Sequence, residues 1–306
     1  MKSVLITGAG GLIGSRVAEE ARKAGYAVTS VFRKLPLSGA ADALERDLRF
    51  PLDNMPPVDG VFHLAGGYAG ASRQVLEGTD LLIARNLIRW GVENGVKNWA
   101  FASAAEVFGR IAGLATEAAC TIPVIPYGRI KLAIEGLFVQ MAKDLPDCRV
   151  SILRIGEVYG PESRLLRELE MRMREGFCPW PGSGRVAVSF VHLEDVAQAL
   201  LCAIKRAPGG VSVYNVADDE PATWRSFVRR FAEVLGARPP VFLPRPLVYA
   251  YALGHRFRSY LARKEPILTS HALRLLTTPK ALSNQKIKSE LGLTLRFPNF
   301  RCGLGT

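Results

Sequence analysis

The sequence predicts an α/β protein, a doubly wound parallel sheet with helices on both faces, followed by a smaller C-terminal region. Three observations carry this reading. Short β-branched runs alternate with helical patterns through the first half of the 306 residues. The first of these runs meets a glycine-rich turn that opens a helix. Beyond about residue 156 the alternation gives way to irregular stretches, with Pro179-Trp180-Pro181-Gly182 and the prolines from Pro239 to Pro246 as punctuation. The expected division is 1–156 for the sheet and 157–306 for the second region, with some later segments returning to the sheet.

Strands are expected at Ser3–Thr7, Ala27–Phe32, Gly60–Leu64, Asn98–Ser103 and Val150–Ile155, where β-branched and aromatic residues cluster between turn signals. A helix reads from Leu12 to Ala24, with Ile13, Val17 and Ala21 on one face and Gly25 as its stop. Further helices read at Thr79–Asn94, Tyr127–Lys143 and Glu194–Lys205, and a strand at Val213–Val216.

Composition narrows the class. Hydrophobic residues make up 48% of the chain, enough for a sizeable core. No apolar run is long enough to span a bilayer and no secretory leader is visible. The five cysteines are widely spaced without a CxxC, which fits reduced thiols in the cytoplasm rather than disulfides. The four histidines lack metal-ligand spacing, so no metal is expected. The net charge of +12 comes without a nucleic-acid-binding motif, so no nucleic-acid partner is expected.

The turn after the first strand reads Thr7-Gly8-Ala9-Gly10-Gly11-Leu12-Ile13-Gly14. Gly8 permits the tight turn, Gly11 lets the backbone approach a pyrophosphate, and Gly14 lets the helix pack close to the strand. The helix start at Leu12 and Ile13 then offers free N–H groups and a positive dipole end to phosphates. Gly8, Gly10, Gly11, Leu12, Ile13 and Gly14 are therefore candidate dinucleotide-binding residues. An NAD site places a carboxylate after the second strand, about twenty residues past such a turn, for the ribose hydroxyl. Here that place reads Arg33-Lys34. Two cations suit a 2′-phosphate, which points to NADP(H).

The TGxxGxxG spacing and seven later landmarks resemble the extended short-chain dehydrogenase/reductase family, over residues 1–300. Asp47-Leu48 is similar to its adenine-contacting pair, and Leu64-Ala65-Gly66, after His63, to its third-strand motif. Tyr127-Gly128-Arg129-Ile130-Lys131 matches its YxxxK. Leu153 to Pro161 resembles "LRPGNVYGP", with Ile155 and Glu157 in place of Pro and Asn. Phe190 to Ala197, Tyr214 to Ala217, and Ser283 to Gly292 resemble later landmarks. The resemblance implies a Rossmann sheet. It implies that Tyr127 exchanges a proton with the substrate oxygen while Lys131 lowers the tyrosine pKa and binds the nicotinamide ribose.

The family's third catalytic group is a Ser or Thr three residues before the valine of "VYG". In Val107-Phe108-Gly109 the count falls on Ala104, and Ser103 is the neighbouring hydroxyl and catalytic candidate. Side chains alternate along a strand, so 103 and 104 should face opposite sides. Glu106 survives from a "DEVYG" variant without its acidic partner, and is a candidate substrate contact. On the substrate side, Arg185 in Gly182-Ser183-Gly184-Arg185 could bind a phosphate or carboxylate. Tyr249, Leu253, Phe257 and Leu261 recur every four residues and should form one apolar helical face, either core-facing or in contact with a membrane surface.

The first reading is an NADP(H)-dependent oxidoreductase that interconverts a ketone and a secondary alcohol on a medium-sized, cyclic small molecule. Pro266-Ile267-Leu268-Thr269 and the absence of an "R.GD" segment resemble the 3β-hydroxysteroid dehydrogenase branch. The alternatives are a sugar-nucleotide epimerase or reductase, and a non-catalytic NADP(H)-binding protein, which Ala104 would favour. The resemblance also implies a homodimer through the helices near 79–94 and 127–143, with Leu82, Leu87, Ile134 and Phe138 as seam candidates.

Overall fold

The computed structural model describes residues 1–35, 41–67, 76–145, 147–261 and 270–305, with the backbone alone at 77, 255–261 and 270–272. Its centre is a seven-stranded, wholly parallel sheet. The strands are β1 (Ser3–Thr7), β2 (Ala27–Phe32), β3 (Ala43–Glu45), β4 (Gly60–His63), β5 (Asn98–Ala104), β6 (Arg149–Ile155) and β7 (Gly210–Val216). They lie side by side in the order β7-β6-β5-β4-β1-β2-β3. The chain starts in the middle, winds outward one way, then returns across β1 and winds the other way. The crevice where that direction reverses lies between β1 and β4, at the strands' carboxyl ends.

Each expected strand forms, within a residue of its predicted ends except β7, which begins three residues earlier than the apolar run. β3 was not expected: its three residues carry no apolar run of their own and pair with β2 at Ser30, Val31 and Phe32.

Period-two alternation puts opposite residues of each strand on opposite faces. On one face Val4, Ile6, Phe62 and Leu153 pack against α1 (Leu12–Lys23) and α5 (Leu193–Arg206). On the other, Leu5, Val61, Trp99, Phe101 and Ile152 pack against α2 (Leu81–Glu93) and α3 (Pro126–Asp144). Each such side chain contributes about 1.5–3 kcal/mol when fully buried. Three of the four dimer-seam candidates, Leu87, Ile134 and Phe138, are spent on this core; Leu82 is exposed.

The second half of the chain is divided between the two regions. α5 and β7 return to the central sheet. α4 (Arg164–Arg174) and α6 (Trp224–Leu235) close a separate aromatic core around Trp180, Phe190, Trp224 and Phe227. There Phe190 and Phe227 stack with centroids 4.1 Å apart.

α7 (Arg245–Leu261) departs from the expected face. Among its described residues Val248 and Ala252 are buried, while Tyr249 and Leu253 are exposed. The four-residue repeat exists, but the stripe one position earlier meets Leu243 and Leu273. The side chains of Phe257 and Leu261, and Pro266–Thr269, lie outside the described residues. Among the described residues no helix is long and apolar enough to cross a membrane.

Two glycines test this packing in opposite directions. A methyl group at Gly91 in α2 would lie 2.3 Å from the Trp99 ring, whereas one at Gly136 in α3 would meet nothing within 4 Å. Gly91→Ala should destabilise by about 1–3 kcal/mol through overpacking. Gly136→Ala should stabilise by about 0.5–1 kcal/mol through helix propensity. Urea unfolding of the two variants measures both, and equal effects would contradict the packing described.

Candidate active site

The crevice is built from loops that follow the sheet. After β1, the backbone turns left-handed at Gly8 (φ 71°), and Gly11 N–H closes the turn on the Gly8 carbonyl at 2.9 Å. A side chain at Gly8 would lie 2.8 Å from the backbone of Leu64 and Ala65, and one at Gly14 would lie 2.1 Å from the Gly8 carbonyl oxygen. Gly11 caps α1 without a side-chain hydrogen bond, so the first turn at Leu12 and Ile13 presents its N–H groups outward. The Thr7 hydroxyl accepts from Leu64 N–H and Ala65 N–H, both at 3.1 Å, and so holds the β4 loop beside the glycine turn.

Gly8, Gly11, Leu64 and Ala65 line a cleft of 940 Å³ together with Gly10, Arg33, Lys34, Asp47, Leu48 and Gly66. A bare cradle of backbone N–H groups, sterically closed to side chains, fits a dinucleotide pyrophosphate. The pyrophosphate would rest on Gly10, Gly11 and the α1 N-terminus, and Arg33 and Lys34 line the same cleft. Two carboxylates stand close by. Asp47 accepts from the Arg49 guanidinium, and that hydrogen bond brings its pKa down to about 2. Glu45 lies opposite Phe32 in β3, accepts from Leu35 N–H at 3.1 Å, and lines the same cleft.

The cleft leads to the start of α3. Tyr127 follows Pro126, whose fixed φ suits a first helical position. Lys131 lies one turn on, with its Nζ 5.6 Å from the Tyr127 ring centroid. The Lys131 ammonium is buried and donates to the Ala102 carbonyl at 2.8 Å. A methyl at Gly66 would lie 3.7 Å from that Nζ and 3.1 Å from Asp80 Oδ2, so the lysine and the aspartate meet at the cleft floor. Asp80 also accepts from Gly67 N–H at 2.8 Å. Burial pushes Lys131 down to about 8, against the opposing pull of Asp80, Glu135 and Glu106.

The pKa of Tyr127 is raised, by burial first and then by the charges of Glu106, Asp80 and Glu157. This differs from the expectation that the lysine lowers it. The Lys131 ammonium is committed to a backbone carbonyl, and three carboxylates act on the phenol. Two of them, Glu106 and Glu157, flank Lys280, whose buried ammonium donates to both. Glu106 sits against the α3 start: a methyl at Gly128 would lie 2.3 Å from the Glu106 carbonyl oxygen.

Ser103 is turned the other way. Its hydroxyl donates to Glu135 Oε1 at 2.5 Å, and Arg154 grips both oxygens of the same carboxylate at 3.2 and 2.8 Å. Ala104 is extended (φ −144°, ψ 151°), so no bulge interrupts the alternation at the strand end. Arg185 is also elsewhere, in a groove that shares no lining residue with the cofactor cleft. Among the described residues no group of His, Cys, Asp or Glu could hold a metal ion.

Sequence reading thus brings together the glycine turn, Arg33, Lys34, Asp47, Leu48, the 64–66 loop, Tyr127, Lys131 and Glu106. It missed Glu45, Asp80, Glu135 and Lys280. The one available signal was Glu157, standing where the resemblance expects Asn.

A family model described as NAD dependent epimerase/dehydratase family matches residues 4–217. The chain belongs to that family, and with it to the extended short-chain dehydrogenases/reductases. The 3-diazoavenalumate denitrifying reductase of Streptomyces sp is 30% identical over 156 residues, covering 50% of this chain and 45% of the relative. The 3beta-hydroxysteroid-dehydrogenase/decarboxylase isoform 1 of Arabidopsis thaliana is 25% identical over 289 residues, covering 86% and 65%. The chain therefore spans between about half and two thirds of the length of these curated relatives. Among solved structures, MoeE5 in complex with UDP-glucuronic acid and NAD is similar with a TM-score of 0.77 at 26% identity, covering 99% of this chain and 97% of that one.

Lys131 gives a pH signature. Its pKa is about 8 in the folded protein against an ordinary 10.5, so between those values the unfolded chain binds more protons and stability rises with pH. In cofactor-free protein, Lys131→Met should remove this part of the slope. Urea unfolding from pH 8 to 10 measures it, and an unchanged slope would contradict the burial of a titrating ammonium.

Proposed function

We propose that the protein is an enzyme that reduces a ketone to a secondary alcohol with NADPH, on a medium-sized cyclic substrate. The observation that carries this reading is Tyr127, set beside Lys131 next to the Gly66 end of the dinucleotide cleft, with its phenol favoured in the acid form by burial first and then by three carboxylates. A phenol held in its acid form suits proton donation to a developing alkoxide. The chemistry the nicotinamide supplies when bound is hydride transfer to the carbonyl carbon.

The chain's own residues do the rest. Tyr127 donates its phenolic proton to the carbonyl oxygen as that oxygen becomes an alkoxide. Lys131, anchored on Ala102, places a positive charge beside the phenol and stabilises the phenolate left behind. With Ala104 in place of a hydroxyl, the substrate oxygen has Tyr127 as its donor from this pair of positions. Ser103 holds Glu135 and Arg154 in place rather than touching substrate.

A sugar-nucleotide epimerase or reductase is the second reading, favoured by the likeness to MoeE5, whose structure holds UDP-glucuronic acid and NAD. Following NADPH absorbance across cyclic ketones and UDP-sugars separates the readings. Net NADPH consumption with ketones supports reduction; sugar interconversion without net consumption supports the second. No turnover of either class, with NADPH bound, supports a non-catalytic binding protein.

Two variants sharpen the proposal. Arg33→Ala removes a charge-assisted phosphate contact worth about 1.5–3 kcal/mol. It should weaken NADPH binding roughly tenfold to a hundredfold and leave NADH binding nearly unchanged. Calorimetry showing tighter NADH than NADPH binding by the native protein would refute the preference and point to Glu45. Tyr127→Phe should lower turnover by roughly 10²–10⁴ with little change in NADPH affinity. Ser103→Ala should act on stability more than on turnover, and Ala104→Ser should raise turnover. A large turnover loss in Ser103→Ala alone would overturn these assignments.

A further inference from the structure

The second half of the chain carries a basic groove that the proposed reaction does not use. Arg185, Arg225, Arg229, Arg230 and Arg301 line a cavity of 560 Å³, in which Glu233 is the acidic lining residue. Glu233 is paired with Arg230 at 3.3 Å. Arg185, Arg225, Arg229 and Arg301 have no acidic partner among the described residues. The cavity lies over the first turns of α6, beside the Gly182–Arg185 turn.

The groove is held in shape without a ligand. Arg225 Nε donates to the Ser183 carbonyl at 2.7 Å, and its guanidinium lies 4.0 Å from the Phe242 ring centroid. Arg229 shares that ring at 5.9 Å. Gly184 is left-handed (φ 67°), and a side chain there would strike Phe242 at 2.3 Å, so the turn is pressed onto the ring that carries both arginines. Desolvation, then the charges of Arg229 and Arg185, lower the Arg225 pKa. Like charges gathered at a fixed place, with one acidic residue among them, raise the energy of the empty groove and lower that of an anion-filled one. Several guanidinium forks converging on one cavity match the oxygens of phosphate better than a single carboxylate.

We propose that this groove is a binding site for a phosphate-bearing anion, separate from the cofactor cleft and independent of the reaction assigned above. Its phosphate could belong to a soluble oligophosphate or to an anionic lipid headgroup, since both present the same oxygens. The neighbouring start of α7 bears on the second source: Arg245 lies 3.7 Å from a methyl position on Gly182, and Leu247, Tyr249, Tyr251 and Leu253 beyond it are exposed.

The test is calorimetric titration of tripolyphosphate into the full chain, together with cosedimentation on vesicles of phosphatidylcholine alone and of equal parts phosphatidylcholine and phosphatidylglycerol. Arg229→Glu/Arg301→Glu changes two exposed groove residues, and Arg229→Gln/Arg301→Gln repeats the test without charge reversal; a thermal melt checks that each folds. Saturable tripolyphosphate binding is expected, weakened roughly tenfold to a hundredfold in both double variants. Arg33→Ala, which alters the cofactor cleft, should leave that binding unchanged. Added binding to the anionic vesicles, lost in the same variants, identifies a lipid headgroup; tripolyphosphate binding without it identifies a soluble phosphate. Binding abolished by Arg33→Ala but intact in the groove variants, or no binding of either probe, overturns the proposal.

Discussion

The structure depends on how closely α1 approaches β1. With Gly14 against the Gly8 carbonyl, the helix starts directly above the sheet, and its free N–H groups point into the crevice where strand order reverses. Any side chain at either position would lift the helix and bury nothing in exchange. The Thr7 hydroxyl transmits this geometry to the neighbouring loop by accepting two N–H groups from Leu64 and Ala65. Behind it, His63 is buried against Phe101, and desolvation pushes its pKa down to about 3, so it fills the floor as a neutral ring. The phosphate cradle and the cleft floor are thus one steric construction.

A second constraint is electrostatic. Around Tyr127 gather the charges of Asp80, Glu106 and Glu157, with Lys131 and Lys280 nearby. Burying charges is costly unless each is paired, and the pairing is met unequally. Lys280 is shared between two glutamates, whereas Lys131 rests on a carbonyl oxygen. The phenol of Tyr127 is therefore held toward its acid form, by burial first and then by this negative field. Deeper in, Glu135 is neutralised by Arg154 and bonded by Ser103, so this carboxylate belongs to the packing of α3 on the sheet.

Much of the fold was legible because it rests on local signals. The β-branched runs of β1, β2, β4, β5 and β6 marked the strand positions, and the glycine turn marked the crevice. Tyr127 and Lys131 were legible because an i, i+4 pair shares a helical face whatever surrounds it. What could not be read depends on partners distant in sequence. Lys280 meets Glu106 across 174 positions and Glu157 across 123. β3 is recruited by the β2 edge rather than by its own composition. On α7 the repeat of Tyr249 and Leu253 read as an apolar face, core-facing or toward a membrane surface; Leu243 and Leu273 meet the stripe of Val248 and Ala252 instead. The direction of the tyrosine pKa depends on the same kind of distant partners: the lysine was visible in the motif, whereas the burial and the three carboxylates were not.

The central claim is that Tyr127 remains a proton-bearing phenol in the working pH range. Phenolate absorbance followed by pH titration, taken as the difference between the native protein and Tyr127→Phe, reads that proton directly. The account predicts no ionisation of Tyr127 through neutral pH and none by the ordinary phenol value near 10. A phenolate that appears close to neutrality would contradict it, and would show that Lys131 governs the phenol and that the site is poised to accept a proton.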